Sequence, residues 1–144
     1  MAEIDKFEAD RRFCRHGITH LFDVARLAYI ECLEKGLDIP KEQIYAAALL
    51  HDIGRCMEYG KSIPHEAASA ELSGTILSEC GFSESEADAI ISAIIMHKVQ
   101  ADSDDDSLRG LIYRADKRSR LCFCCAAESD CYWSSEKKNM TITY

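Results

Sequence analysis

The sequence has no long apolar segment and no excess of basic residues, and both absences limit the functions open to it. None of its apolar runs approaches the length of about 18 residues that a membrane-spanning helix needs. Its 17 Lys and Arg residues are outnumbered by 25 Asp and Glu residues, which gives a formal net charge of −8. Proteins that bind nucleic-acid polymers need clustered Lys and Arg to neutralise phosphates. We therefore expect neither a membrane protein nor a partner of polymeric nucleic acid.

The N-terminal stretch lacks the apolar core of a secretory signal. It reads MAEIDKFEADRRF and carries charges throughout. We therefore expect a cytoplasmic protein, in which thiols stay reduced. The eight cysteines are accordingly interpreted as free thiols or metal ligands and not as a disulfide framework.

Proline and glycine are scarce, with two and seven residues, and apolar residues recur at helical spacing along most of the chain. The predicted fold is all-α, a compact bundle of five to six helices. Asp38 is predicted to cap one helix, and Ser83 with Glu86 to form a capping box on another. Gly36 and Gly81 are predicted to end helices. The long helices are predicted at 18–35, 41–51, 65–80, 84–97 and 107–120, with an acidic loop at 102–106.

A histidine followed by an aspartate stands at the end of an apolar helix. His51 and Asp52 come after the run AAALL and shortly before Gly54. Neighbouring helical residues point about 100° apart, so both reach one ion only where the helix ends or bends, which Gly54 permits. Imidazole nitrogen with carboxylate oxygen suits Mn, Fe, Zn, Co or Ni, and open coordination positions allow water to be activated. The pair is therefore a candidate metal site.

Two more residues extend this pair into a wider pattern. His20 lies on the polar flank of the first long helix, and Asp116 follows the run GLIYRA. With the phrases ALLHDIGR and IYRADK, the order His20, His51-Asp52, Asp116 resembles the HD-domain phosphohydrolase superfamily over about residues 16–120. The resemblance implies a helical bundle in which these two histidines and two aspartates bind a divalent metal ion.

Two further histidines bear on the number of metal ions. His65 begins a helix in PHEAASA, and His97 ends the next one in IIMH. The resulting order resembles the dinuclear branch of the superfamily, which includes diadenosine tetraphosphate hydrolases and the HD-GYP phosphodiesterases, although the GYP signature is absent. The resemblance implies that Asp52 bridges two ions and that His65 and His97 hold the second. The alternative is that His65 caps a helix and His97 is a polar surface residue.

Basic residues beside the ligands are candidates for binding phosphate. Arg55 directly follows HDIG and Lys117 follows the last aspartate, and both are expected to offset charge on phosphoryl oxygens. Arg114 has the same interpretation with less support. His16 is one turn from the first ligand, and Glu66 is placed to orient a histidine or accept a proton. For each of these residues an ordinary surface or helix-end role is the alternative.

A cysteine-rich tail follows the last candidate ligand. Cys122, Cys125 and Cys131 have the spacing C-x2-C-x5-C, and Cys14 or Cys124 would complete four thiolates. Such a set is typical of a structural zinc site or an iron–sulfur centre. The alternative is that these cysteines pack as small hydrophobic residues.

We therefore expect one HD domain at 1–121 and a cysteine-rich extension at 122–144 that packs on it. The expected function is hydrolysis of a small phosphate ester or anhydride, a nucleotide or dinucleotide, by metal-activated water. Asp52, Arg55 and Lys117 are the candidate catalytic residues, and the expected cofactor is one or two ions of Fe, Mn, Zn, Co or Ni. The alternative is a metal- or redox-responsive binding module whose histidine–aspartate pocket is not catalytic.

Overall fold

The structure, a computed structural model, describes residues 1–100 and 104–142. Within these residues it contains seven α-helices and no β-strand, which confirms the all-α class. The helices are α1 (Ala2–Phe7), α2 (Ile18–Glu34), α3 (Lys41–Leu50), α4 (Arg55–Lys61), α5 (His65–Glu79), α6 (Glu84–Met96) and α7 (Leu108–Arg118). Short 3-10 turns follow at Cys122–Cys124 and Glu128–Asp130.

The strongest helix signals of the sequence are confirmed. The Ser83 side chain accepts from the backbone N–H of Glu86, and the Glu86 side chain accepts from the backbone of Ser83. Gly36 and Gly81 adopt φ of 63° and 83°, a left-handed conformation that only glycine adopts without strain. All five long helices therefore begin and end within a few residues of their predicted bounds.

One local expectation is wrong, and two short helices lie where the sequence predicted none. Asp38 does not cap α3, because Pro40 holds the N-cap position and no side-chain hydrogen bond closes the helix start. The short helices α1 and α4 were not predicted, since α1 buries one residue, Ile4, and α4 buries none. A helix without a buried face lacks the apolar periodicity by which a sequence indicates a helix. The predicted acidic loop falls partly outside the described residues, at Asp102 and Ser103.

The core lies between five helices, α2, α3, α5, α6 and α7. Helix α2 packs on α3 and α7, while α6 contacts α3, α5 and α7. Each fully buried Ile or Leu side chain contributes about 1.5–3 kcal/mol relative to exposure. In this core the fully buried side chains of these two types are Ile44, Leu77, Ile90, Ile94, Leu111 and Ile112. Across residues 1–100 and 104–142, no helix combines the length and the apolar character that crossing a bilayer demands.

Gly54 joins α3 to α4 at a close contact with α5. Its φ of −79° is available to any residue, so conformational freedom does not explain this glycine. The reason is space, because a Cβ here would stand 2.4 Å from the Ser69 nitrogen and 2.6 Å from the His65 carbonyl oxygen. The Gly54 N–H also donates to the Ser69 hydroxyl at 2.9 Å. The glycine therefore lets the chain after α3 approach the start of α5.

Candidate metal centre

Five buried side chains form two overlapping groups of metal-ligand type. His20, His51 and Asp52 make one group, and Asp52, His65 and His97 make the other. In each group one ligand atom per residue lies within 4.8 Å of the others. His20 is in the first turn of α2 and His65 opens α5, whereas His51 and His97 directly follow α3 and α6. Helix ends from four parts of the chain therefore meet at one point.

Asp52 belongs to both groups through different oxygens. Its Oδ2 lies 3.3 Å from His51 Nε2 and 3.6 Å from His20 Nε2. Its Oδ1 lies 3.2 Å from His65 Nε2 and 3.9 Å from His97 Nε2. One carboxylate thus presents one oxygen to each pair of histidines.

Asp116 joins the first group from α7. Its Oδ1 lies 3.3 Å from His20 Nε2 and 3.9 Å from His51 Nε2. The carboxylate is 8% exposed, so the surrounding helices hold it away from bulk water. The structure therefore brings together all six candidate metal ligands of the sequence, with Asp116 on the side of His20 and His51.

Two of the histidine rings are oriented by the helices that they follow. His51 Nδ1 lies 2.7 Å from the carbonyl oxygen of Ala48, and His97 Nδ1 lies 2.6 Å from that of Ile94. Since a carbonyl oxygen can only accept, each Nδ1 carries a proton, which leaves Nε2 as the nitrogen available to a metal ion. Both Nε2 atoms face the Asp52 carboxylate.

The other two rings are held by side chains. His65 Nδ1 lies 2.9 Å from Glu58 Oε2, and His20 Nδ1 lies 3.1 Å from the Ser119 hydroxyl. Metal-binding histidines almost always make such a second hydrogen bond, which fixes the tautomer and the ring orientation. Every candidate histidine ligand therefore has Nδ1 occupied and Nε2 turned inward.

The charges at the site suit a cation. Burial by itself raises the pKa of Asp52, but the positive charge of His51 holds it well below its usual range. Burial acts likewise on Asp116, where contact with His20 holds the pKa well below its usual range. Burial, and then the charge of His51, lowers the pKa of His97 to about 3. At neutral pH both carboxylates are ionised and His97 is neutral, which are the forms that bind metal.

Several ligand atoms have no hydrogen-bond partner. Both Asp52 oxygens and His51 Nε2 are buried without a hydrogen-bond partner, although charged neighbours lie within ion-pair distance. An unpartnered polar atom in the interior costs about 1–3 kcal/mol, and more when it is charged. One cation in each group would satisfy all three atoms. The donor set of nitrogen and oxygen therefore fits a divalent metal ion.

The two candidate phosphate-binding residues contact the aspartates. Arg55 Nε lies 3.0 Å from Asp52 Oδ1, with the side chain 15% exposed. Lys117 Nζ donates to Asp116 Oδ2. Both cations therefore stand beside candidate ligands and face the space in front of them.

Arg120 is a site residue that the sequence analysis missed. One guanidinium nitrogen, NH2, lies 3.1 Å from His20 Nε2 and 3.3 Å from Asp116 Oδ1. It thus supplies positive charge between two candidate ligands. Its position four residues after Asp116 is the signal that could have revealed it, because residues at that spacing share a helix face.

His16 has a partner that the sequence did not reveal. Its backbone N–H and its ring Nδ1 both contact the buried Glu8 carboxylate at 2.6 Å, and the Tyr59 hydroxyl donates to the same group. The His16 ring stands edge-on to that of His20, with centroids 5.6 Å apart. Burial, and then the charge of Arg55, lowers the pKa of His16 to about 3. His16 is therefore a neutral wall of the site, outside both ligand groups.

Other sequence candidates have different neighbours. Glu66 stands 3.6 Å from His65 Nδ1 and binds Lys98 at 2.7 Å, so Glu58 is the closer partner of the ring. Glu58 was missed because it belongs to α4. Arg114 donates to the buried Glu31 at 2.6 Å, in a contact between α7 and α2.

The cysteines take no part in these ligand groups. Cys14, Cys122, Cys125 and Cys131 line one cavity beside the site, whereas Cys124 does not line it. No group of three close ligand atoms in residues 1–100 and 104–142 includes a cysteine.

Comparison with known proteins agrees with this arrangement. The HD domain profile matches residues 17–121, a span that contains all six converging ligands. An uncharacterised protein of Clostridium beijerinckii is 44% identical over 139 residues, which cover 96% of this chain and 87% of that protein. No solved structure matches the chain. The extent of the profile match shows that the chain belongs to the HD-domain family.

Proposed function

We propose that this protein is a dinuclear metal-dependent phosphohydrolase. The observation that carries the proposal is the Asp52 carboxylate, which turns one oxygen to His20 and His51 and the other to His65 and His97. A bridging carboxylate between two histidine pairs is the arrangement that a two-metal site needs.

The proposed cofactor is a pair of ions of Fe, Mn, Zn, Co or Ni, since mixed imidazole and carboxylate sites accept all of these. When bound, such ions lower the pKa of water toward neutrality and neutralise phosphoryl oxygens. His20, His51 and Asp116 would hold one ion. His65 and His97 would hold the other, with Asp52 shared.

The proposed substrate is a small phosphate ester or anhydride. A cavity of about 280 Å³ opens on His97 and Asp116 and is lined by Arg55, Lys117 and Arg120. A guanidinium group matches phosphate oxygens with two parallel hydrogen bonds, and an ammonium group offsets their charge. A cavity of this size is close to the lower end of the range of small-molecule sites.

A nucleotide or dinucleotide is the substrate class that we favour. Tyr132 and Trp133 line the same cavity as the three cations, and Tyr132 is 82% exposed. Nucleobases stack on aromatic side chains whatever their sequence, with about 1–3 kcal/mol per base. Phosphate would then be held at the cationic end and the base at the aromatic end.

The competing proposal of a binding module with a non-catalytic pocket has less support. A non-catalytic pocket does not need six metal ligands, nor a second hydrogen bond that orients each histidine ring. The same protein loaded with metal distinguishes the two, because only an enzyme turns over substrate.

The proposed activity is tested with a panel of nucleotides and dinucleoside polyphosphates. Protein purified without oxygen is loaded with Mn, Fe, Co or Ni, and release of phosphate or nucleotide is measured. We expect hydrolysis that a chelator removes and that added metal restores. Fully loaded protein that hydrolyses no member of the panel would count against the proposal.

The second ion is tested by His97→Ala. We expect this variant to lose about one ion per chain while the group around His20 and His51 keeps its ion. His16→Gln is the matched control, since His16 is buried beside the site but belongs to neither ligand group. Metal content by mass spectrometry is the measurement. A wild-type protein that never exceeds one ion at these residues would refute the dinuclear proposal.

Glu58 offers a finer test of the same group. Glu58→Gln weakens the hydrogen bond that fixes His65, and loss of such a partner costs about 10–100-fold in metal affinity. Glu66→Gln is the matched control, because its carboxylate is farther from the ring and bound to Lys98. Affinity is measured by competition with a chelator, and equal affinities in the two variants would contradict the assignment.

A further inference from the structure

Four cysteines from distant parts of the chain surround one cavity. Cys14 precedes α2, whereas Cys122, Cys125 and Cys131 belong to the tail after α7. All four line a cavity of about 270 Å³. The structure therefore selects Cys14 as the fourth member of the set, where spacing alone left Cys14 and Cys124 equal.

Short turns bring the tail cysteines to this cavity. Cys122 opens a 3-10 turn, and the Cys125 N–H donates to the Cys122 carbonyl at 3.1 Å. Cys131 follows a second 3-10 turn, and its N–H donates to Glu128 at 3.2 Å. A C-x2-C pair on a tight turn is the usual way in which proteins place two thiolates on one structural metal ion.

Neighbouring charges indicate that the thiols are close to one another and to cations. Burial raises the pKa of the Cys14 thiol, Arg120 opposes that rise, and Cys122 and Cys131 add to it. Lys138 lines the same cavity. Cations beside a cluster of thiolates offset the negative charge that the cluster carries once deprotonated.

The tail buries few apolar side chains and is otherwise held by polar contacts such as those of Arg12 with Asp130 and Lys138 with Glu128. Among its described residues, 122–142, the buried hydrophobic side chains are those of Cys122 and Ala127. Its helical segments have three residues each. Asn139 donates to the carbonyl oxygens of Lys117 and Arg120, which fixes the end of the tail and not its middle. Segments that cannot bury a core usually need a disulfide or a metal ion.

We infer that Cys14, Cys122, Cys125 and Cys131 bind one zinc ion, which fastens the tail to the segment before α2. Cys124 is excluded because it does not line this cavity and its sulfur lies 3.5 Å from the Leu121 carbonyl oxygen. No three of the four sulfurs lie within 4.8 Å of one another in the described residues, so the side chains turn inward as the ion binds. The inference does not depend on the proposed hydrolase activity.

The zinc site has a consequence for the neighbouring cavity. Cys14, Cys131, Arg120 and Trp133 line both the thiol cavity and the cavity that opens on the metal centre. Zinc bound by the thiolates would therefore hold Trp133 in the wall of the proposed substrate cavity. Loss of zinc should raise the KM for the substrate more than it lowers kcat.

The inference is tested on protein expressed with added zinc and purified under reducing conditions. We expect the loss of about one zinc ion per chain in each of four variants, Cys14→Ser, Cys122→Ser, Cys125→Ser and Cys131→Ser. Cys124→Ser is the matched control on the same turn and should keep the ion. Asp52→Asn should also keep it, which separates this site from the histidine–aspartate centre.

Wild-type protein provides a measurement that does not depend on the folding of the variants. When the histidine–aspartate centre is loaded with Mn, X-ray absorption at the zinc edge should show four sulfur ligands at about 2.3 Å on one zinc ion per chain. A disulfide among the four cysteines, an iron–sulfur chromophore lost in the same variants, or zinc without sulfur ligands would each overturn the inference.

Discussion

Replacement of Asp52 by asparagine should abolish metal-dependent hydrolysis while the helical fold stays in place. The amide has nearly the shape of the carboxylate but only one oxygen, so it cannot serve both histidine pairs. It also carries no charge to offset a cation. Removal of a single electrostatic stabiliser costs about 10²–10³-fold in rate. Loss of the shared ligand should cost at least as much, with turnover falling roughly 1,000-fold or more.

The measurements are turnover, metal content and far-UV circular dichroism on the same preparation. Asp88→Asn is the matched control, because Asp88 is an exposed aspartate on α6 outside both ligand groups. It should retain wild-type metal content and rate. Full metal content together with wild-type turnover in Asp52→Asn would contradict the role given to this carboxylate.

Replacement of Gly54 by alanine should have the largest effect on stability. The new Cβ would meet backbone atoms of α5 at 2.4 and 2.6 Å, and backbone cannot move aside as a flexible side chain can. Overpacking costs about 1–3 kcal/mol and occasionally more, and we expect a clash with backbone to lie at the upper end of that range, about 3 kcal/mol. For a chain of this length the melting temperature should fall by roughly 10 °C. Since α5 begins with His65, its displacement should also weaken metal binding by that histidine.

Gly74→Ala is the matched control, because it makes the same substitution in α5, the helix that Gly54 contacts. Gly74 lies in the middle of α5, and a Cβ there meets nothing within 4 Å. Alanine is favoured over glycine inside a helix by about 0.8–1 kcal/mol, so this variant should melt at or above the wild-type temperature. Melting curves by calorimetry measure both variants. Equal melting temperatures for Gly54→Ala and wild type would show that the two segments are not in close contact.

The sequence predicted the parts of the fold that bury an apolar face or carry an explicit cap. The capping box at Ser83 indicated where one helix begins, and the glycines at 36 and 81 indicated where two helices end. Helix α4 buries none of its residues, so apolar periodicity could not indicate it. Because α4 was not predicted, its residue Glu58 was not identified as the partner of His65.

The sequence predicted the site residues that can be recognised from their type and their order. It did not predict contacts between residues that are far apart in the sequence. His20, His51, Asp52 and Asp116 stand in an order that resembles the HD-domain pattern, and the structure brings them together. The contacts of Arg120 with His20 and of Glu8 with His16 depend on how helix ends meet. The spacing of four residues relates Arg120 to Asp116, but no local spacing encodes its contact with His20 or the contact of Glu8 with His16. Gly54 was singled out for conformational freedom, and the structure gives it a different role, the close approach of α5.

The most direct measurement is a crystal structure of metal-loaded protein with anomalous scattering recorded at the edge of the bound metal. We predict two peaks on either side of Asp52, one against His20, His51 and Asp116 and the other against His65 and His97. A single peak, or two peaks that do not share Asp52, would contradict the proposed bridging role of this carboxylate.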